Sequence, residues 1–149
     1  MKKLLLILLI PMIGFGQNTY VPDDAFENLL ESWGWGDGIP LNDSVLTSNI
    51  NSQTFVYLFN SSISDLTGIE DFISLEHLDC TQNQLTSLDL SNNHSLITLD
   101  CSENFISNLD ISNAIALTTL KCFGNQITSL DLSTNTALDF LECRSTQLT

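Results

Sequence analysis

Positive charge is nearly missing from this chain: four Lys and Arg stand against eighteen Asp and Glu in 149 residues, a formal net charge of −14. Two of the four, Lys2 and Lys3, sit at the very start, which leaves Lys121 and Arg144 as the cations of everything that follows. Such a surface repels a polymer of phosphates, which argues against nucleic acid and anionic membrane faces as partners. Cations and basic proteins stay compatible with it, and acidity by itself also keeps a secreted protein soluble.

Paired metal ligands are missing as well. There is no C-x-x-C, and His77 and His94 occur once each at unrelated positions, so the spacing of a zinc site is absent. Catalytic signatures are missing in the same way: no G-x-S-x-G, no H-E-x-x-H, no glycine loop for phosphate, and no nucleophile at fixed spacing from either histidine. The expectation is a protein that is not an enzyme and carries no cofactor. A long apolar run occurs only at the start, in MKKLLLILLIPMIGFGQ, where Lys2 and Lys3 precede Leu4 to Ile10 and small residues follow. That is the pattern of a cleaved secretory signal over residues 1–16, too short to span a bilayer as a helix. It predicts a secreted or outer-surface protein with no membrane span once the signal is gone.

What the chain does have is a repeat. Residues 75–95, LEHLDCTQNQLTSLDLSNNHS, align without a gap to 96–116, LITLDCSENFISNLDISNAIA, to 117–137, LTTLKCFGNQITSLDLSTNTA, and to LDFLECRSTQLT at 138–149. TFVYLFNSSISDLTGIEDFIS is an irregular earlier unit at an offset of 22, with Val56, Leu58, Ile63 and Leu66 matching Leu78, Cys80, Leu85 and Leu88. A period this long announces a solenoid whose coils bury their leucines only against their neighbours. Each unit holds two L-x-[LC] stretches, and alternation over three residues is a short strand with both ends inward. The expectation is two stacks of parallel strands, one on each broad side. The first half of each unit, L-x-x-L-x-C-x-x-N-x-L, resembles the leucine-rich repeat signature with Cys in a leucine slot. The fold class expected is a leucine-rich repeat solenoid, mostly β, of four to five coils.

Residues 17–53 differ. Asp23 or Asp24 can cap a helix after Pro22, and Phe26, Leu29, Leu30 and Trp33 recur at helical spacing before Gly34. This predicts a small helical N-terminal cap over the open end of the repeats at 54–149. The last unit stops at Leu148 and Thr149, where its predecessors continue with S-L-D-L-S, so the reading is a fragment of a longer product.

The VPDDAFENLL opening, the ISDLTGIEDF entry and the tandem LTSLDLSNN and LxxLDC units together resemble a group of secreted leucine-rich repeat proteins from Bacteroidetes, flavobacteria especially. The resemblance implies an extracellular or cell-surface array, often followed in the family by a C-terminal sorting segment for type IX secretion, which is not among these residues. Some relatives carry an EF-hand-like loop after the first helix. GWGDGIPLND keeps Asp37 and Asp43 but lacks the alternating ligands and the closing Glu, so too few oxygens are present for calcium.

Cys80, Cys101, Cys122 and Cys143 stand one repeat apart. Equivalent residues on parallel strands lie about 4.8 Å apart with parallel side chains, whereas a disulfide needs Cβ atoms about 3.8 Å apart and directed at each other. The cysteines are therefore expected as small buried apolar residues. Asn83, Asn104 and Asn125 are expected as inward amides bonding the backbone groups of the corners, in their own coil and the next. Asp89, Asp110 and Asp131 should point outward in a row, solvated, with weak cation binding as the sharper alternative. On the other sheet, the outward positions around L-x-C are His77, Asp79 and Thr81; Thr98, Asp100 and Ser102; Thr119, Lys121 and Phe123; and Phe140, Glu142 and Arg144. This varied face, with both late cations and two aromatics, is the expected binding surface for a protein or glycan. Two other readings stay open: the non-catalytic N-terminal part of a larger secreted enzyme, and a structural spacer in a surface layer.

Overall fold

The computed structural model describes residues 16–144. The apolar start of the chain, read as a signal, lies outside the described residues apart from Gly16, as do Thr146, Leu148 and Thr149. The elements run β1 (Asn18–Tyr20), α1 (Asp24–Ser32), β2 (Ser44–Leu46), a single helical turn α2 (Thr47–Ile50), β3 (Phe55–Tyr57), a 3-10 turn (Ile69–Asp71), β4 (His77–Asp79), β5 (Thr98–Asp100), β6 (Thr119–Lys121) and β7 (Phe140–Glu142).

Helix α1 starts where Asp23 Oδ1 accepts the N–H groups of Ala25 and Phe26 at 3.0 and 3.1 Å. It ends where Trp35 N–H bonds the Leu30 carbonyl at 2.8 Å and Gly34 N–H bonds that of Glu31 at 3.0 Å. Gly34 takes φ +75° there, the left-handed conformation that such a closure requires. Two carboxylates one turn apart on the helix then hold the following loop by its backbone. Glu31 accepts from the N–H groups of Asp37 and Gly38, and Glu27, fully buried, accepts from those of Asn42 and Asp43. The GWGDGIPLND stretch is therefore fastened by its N–H groups onto helix carboxylates.

The helix packs its Phe26 and Leu30 inward, and Phe26 stacks on Phe72 of the first coil at 6.3 Å between ring centres. Thr19 of β1 donates to Asp71 at 2.6 Å. Gly68 lies against the same strand at φ +103°, where a Cβ would stand 2.8 Å from the Tyr20 carbonyl oxygen, so no larger residue fits without displacing β1. Cap and coils share one core, which runs from Val21 and Phe26 through the leucines to Cys122 and Ile127. Each fully enclosed Leu or Ile in it contributes about 1.5–3 kcal/mol of transfer free energy.

The coils place their strands in one parallel sheet, β3-β4-β5-β6-β7, with Val56, Leu78, Leu99, Leu120 and Leu141 in register. In β3 to β6 the middle residue is buried in the core and its two neighbours point out, whereas Leu141 of β7, in the last coil, is 39% exposed. β1 and β2 form a separate antiparallel pair in the cap.

The second L-x-[LI] stretches behave differently from the expectation of a second sheet. Leu88, Leu90, Leu109 and Ile111 do point inward and are buried. Among the described residues, however, no strand runs through 88–90, 109–111 or 130–132. Local bonds take up the backbone instead: Asp89, Asp110 and Asp131 each accept the N–H two residues on, from Ser91, Ser112 and Ser133. The next turn closes at once, with Asn93 N–H on the Leu90 carbonyl, Ala114 on Ile111 and Asn135 on Leu132. Donors and acceptors used within a coil cannot join a ladder between coils.

Candidate functional site

The outward residues of the five strands form two columns: Phe55, His77, Thr98, Thr119 and Phe140 in one, Tyr57, Asp79, Asp100, Lys121 and Glu142 in the other. A shallow groove of about 310 Å³ follows them from Phe55 and Tyr57, past His77 and Asp79, to Asp100 and Lys121. Within it Phe55 lies 5.6 Å from the His77 ring, and His77 Nδ1 is 2.8 Å from the Thr98 hydroxyl. Lys121 Nζ stands 3.5 Å from Asp100 Oδ2, and Arg144 donates to Glu142. The groove's aromatic end continues into a second hollow of about 400 Å³ lined by Trp33, Trp35, Phe55 and Tyr57. Trp33 and Trp35 meet edge to face at 4.9 Å.

Sequence alternation placed nine of the twelve predicted face residues outward or at the sheet's rim: His77, Asp79, Thr98, Asp100, Thr119, Lys121, Phe140, Glu142 and Arg144. Ser102 is the correction: it is fully buried; Thr81 and Phe123, at the corner beyond the strand, are half-buried like most of the nine, but the Thr81 hydroxyl is enclosed. These residues follow the cysteine, where the strand has already ended. Asp79 and Asp100 capture the N–H groups of Thr81 and Ser102 at 3.0 and 3.2 Å, turning the chain at the corner, so period-two alternation no longer sets the side-chain direction. Sequence reasoning missed Phe55, Tyr57, Trp33 and Trp35. The first two had a signal, since the offset of 22 sets them in the same columns as His77 and Asp79. The tryptophans had none, because they reach the groove only through the packing of the cap.

The inward ladders line the corner behind this face. Asn104 Nδ2 donates to the carbonyls of Cys80, Cys101 and Ser102, and its Oδ1 accepts from Leu85 N–H. Asn125 repeats the pattern with Cys101, Cys122, Phe123 and Ile106, as does Asn83 with Leu58, Cys80, Thr81, Ser61 and Ile63. Each amide thus serves its own coil and the preceding one, rather than the next. Asn93 and Asn135 bond the preceding coil on the far side, where Ala114 interrupts the series.

Cys80, Cys101 and Cys122 are buried free thiols, and Cys143 is half-buried in the last strand's coil. Burial first, and then the neighbouring Asp79 and Asp100, raise the Cys80 thiol well above its ordinary range; burial and the adjacent Cys80 and Cys122 do the same for Cys101. Burial, with Cys143 and Asp100 adding to it, pushes Cys122 up to about 11. Since the thiolate is the reactive form, the folded protein at pH 8 should leave Cys80, Cys101 and Cys122 unmodified by an aromatic disulfide reagent that labels them within minutes in denaturant. Fast labelling of all of them without denaturant, or two bridges in a non-reducing mass spectrum, would overturn this assignment.

Asp110 and Asp131 are exposed on the far side. The Ser112 hydroxyl and N–H hold the first below the usual carboxylate range, and the Ser133 N–H and hydroxyl hold the second there. Another acidic group lies in the cap, where Asp24, Glu27 and Asp43 bring carboxylate oxygens within 4.8 Å of one another, although Glu27 is already engaged by two backbone N–H groups. Among the described residues no helix is long and apolar enough to cross a membrane.

No family model matches the chain. Over 76 residues, 51% of its length, it is 36% identical to Internalin J of Listeria monocytogenes serotype 4b (strain F2365), of which it spans 8%. Among solved structures it is similar to the functional domain of InlJ from Listeria monocytogenes, which includes a cysteine ladder. There the TM-score is 0.78 at 36% identity, over 90% of this chain and 30% of that one. Internalin InlF of the same species gives a TM-score of 0.72 at 20% identity, over 87% of this chain and 45% of that one. Internalin C2 gives 0.66 at 21% identity, over 90% and 72%. The last two show the fold alone. The chain has the fold of a leucine-rich repeat solenoid and is similar to part of Internalin J, of whose length it spans less than a third.

Proposed function

We propose that this chain is a secreted or surface-exposed binding module that holds a protein partner on the outward columns of its parallel sheet. The observation that carries the reading is the aromatic-ended groove. Phe55 and Tyr57 are each more than half exposed on a sheet whose register fixes them, beside a pair of tryptophans supplied by the cap. Large rings held rigidly on a surface lose little entropy on binding and contribute much of the energy of an interface. The likeness to internalins supports a protein partner over a glycan. The apolar start after Lys2 and Lys3 supports export, and the resemblance of the cap and repeat motifs to secreted flavobacterial arrays supports an origin and a type IX route of that kind. The division into signal (1–16), cap (17–53) and repeats (54–149) belongs to the same reading.

Panning a random peptide library against the folded protein tests it. Enriched peptides should bind the Tyr57→Ala protein about tenfold more weakly, the loss typical of a central aromatic in an interface. Binding to Asp131→Asn, altered on the far side, should be unchanged. Peptides indifferent to Tyr57, or no enrichment at all, would favour a spacer instead.

A further inference from the structure

The sheet face has a charge pattern of its own. Outside the first residues the chain has two cations, Lys121 and Arg144, and each is already paired on this face, with Asp100 and with Glu142. Asp79 lies between Tyr57 and Asp100 in the same column, and among the described residues it forms no ion pair. Its Oδ1 takes the Thr81 N–H, and the residue lines the groove. An acidic partner would meet unbalanced acids here and throughout a chain of net charge −14. A guanidinium or ammonium group brings what the groove lacks. It can pair with Asp79 while its flat face or its methylenes lie on the rings of Tyr57, Phe55, Trp33 or Trp35, the two contacts that Arg makes at once.

We infer that the occupant of the sheet face is an extended polypeptide segment bearing Arg or Lys, its cationic side chains seated between the aromatic end of the groove and Asp79. The inference rests on the sheet face being the binding surface. Length agrees with it: crossing from β3 to β6 covers about 14 Å at the usual strand spacing, which about four residues of extended chain span. Successive side chains of such a segment alternate in direction, so every second one reaches the columns.

The chain's two tryptophans both line the aromatic hollow, so its tryptophan fluorescence reports on this site. The probe is a peptide of about twelve residues, alternating Arg with Ser and Gly and free of aromatics, matched by a peptide with citrulline in place of every Arg, which keeps the shape and removes the charge. The Arg peptide should give a saturable change and bind at least about tenfold more tightly than the citrulline peptide, with the difference shrinking as salt is raised. Asp79→Asn keeps the oxygen that takes Thr81 N–H and should weaken binding about fivefold; Tyr57→Ala should weaken it about tenfold. Asp110→Asn combined with Asp131→Asn removes two charges from the far side and should change it less than about twofold. Equal binding of the citrulline peptide, dependent on Tyr57, would remove the cation and leave the binding face standing. An equal loss from the far-side pair would reduce the effect to general attraction and overturn the inference. So would the absence of any saturable change, or tighter Tyr57-dependent binding of a neutral oligosaccharide.

Discussion

Replacing Asn104 by alanine should lower the stability of the solenoid by about 3–5 kcal/mol, with the denaturation midpoint falling and the slope little changed. The size follows from what the amide does. Asn104 is 4% exposed, and its side chain pairs the Leu85 N–H and the carbonyls of Cys80, Cys101 and Ser102. Alanine orphans the buried Leu85 N–H, at about 1–3 kcal/mol, and adds the loss of three hydrogen bonds to carbonyls that keep one donor each, from Asn83 for Cys80, Asn125 for Cys101 and the Gln82 N–H for Ser102. Asn104→Asp should do no better, because a carboxylate has no N–H to give to the carbonyls. The far-side ladder supplies the control. Ala114 already occupies the slot of Asn93 and Asn135, so Asn93→Ala, which removes one of two donors from the carbonyls of Ile69 and Phe72 and orphans no N–H, should cost about 1–2 kcal/mol. Urea denaturation of the three variants measures the order; an Asn104→Ala protein within about 1 kcal/mol of the parent would refute the assignment of the ladder.

Asp23→Ala should cost about 3 kcal/mol at neutral pH, combining a lost helix cap with lost hydrogen bonds to a charged group. One oxygen of Asp23 caps α1, and the other accepts from Ser64 N–H at 2.8 Å, Ser64 hydroxyl at 2.9 Å and Asp65 N–H at 3.1 Å. A single carboxylate thus joins the cap to the first coil. Asp23→Asn restores the cap oxygen but turns an NH₂ toward N–H donors, so it should recover only part of the loss. Partial burial works against ionisation of Asp23, but the donors of Ser64, Phe26 and Asp65 outweigh it and hold the group below its ordinary 3.8. A carboxyl lowered in the folded state contributes stability that is complete above its unfolded-state value and is lost as pH falls through the folded one. The gap between parent and Asp23→Ala should therefore be constant from pH 7 to about 5 and close below about pH 4. Thermal melts across that range would show it; a gap that persisted at pH 2.5 would mean that packing, not the carboxylate, holds the junction.

The repeating part of the molecule was legible in the sequence because its determinants are local and recur. Leu78, Leu99 and Leu120 are inward since one residue of alternation puts them there, and Cys80, Cys101 and Cys122 follow two residues later in the same direction. The Asn83, Asn104 and Asn125 amides were readable as backbone-bonding groups because a polar residue recurring in an inward slot has no other way to be satisfied. The direction of their bonds, toward the preceding coil, was not readable, since it depends on the tilt of each corner. The second sheet failed for a related reason: SLDLSNN and HLDCTQN look alike, but Asn93 closes a turn on Leu90 within its own coil, while Cys80 N–H reaches across to the Asp100 carbonyl of the next.

By itself, then, the sequence determined the period, the inward slots, the helical segment and the acidic balance, all of which depend on spacing along one chain. Tertiary structure decided which oxygen of Asp23 meets Ser64, 41 residues away. It also buried Ser102 and set Trp33 and Trp35 beside Phe55 and Tyr57. The reason is physical: burial and electrostatic pairing depend on distance through space, and the cap meets the sheet face only through its packing on the first coil.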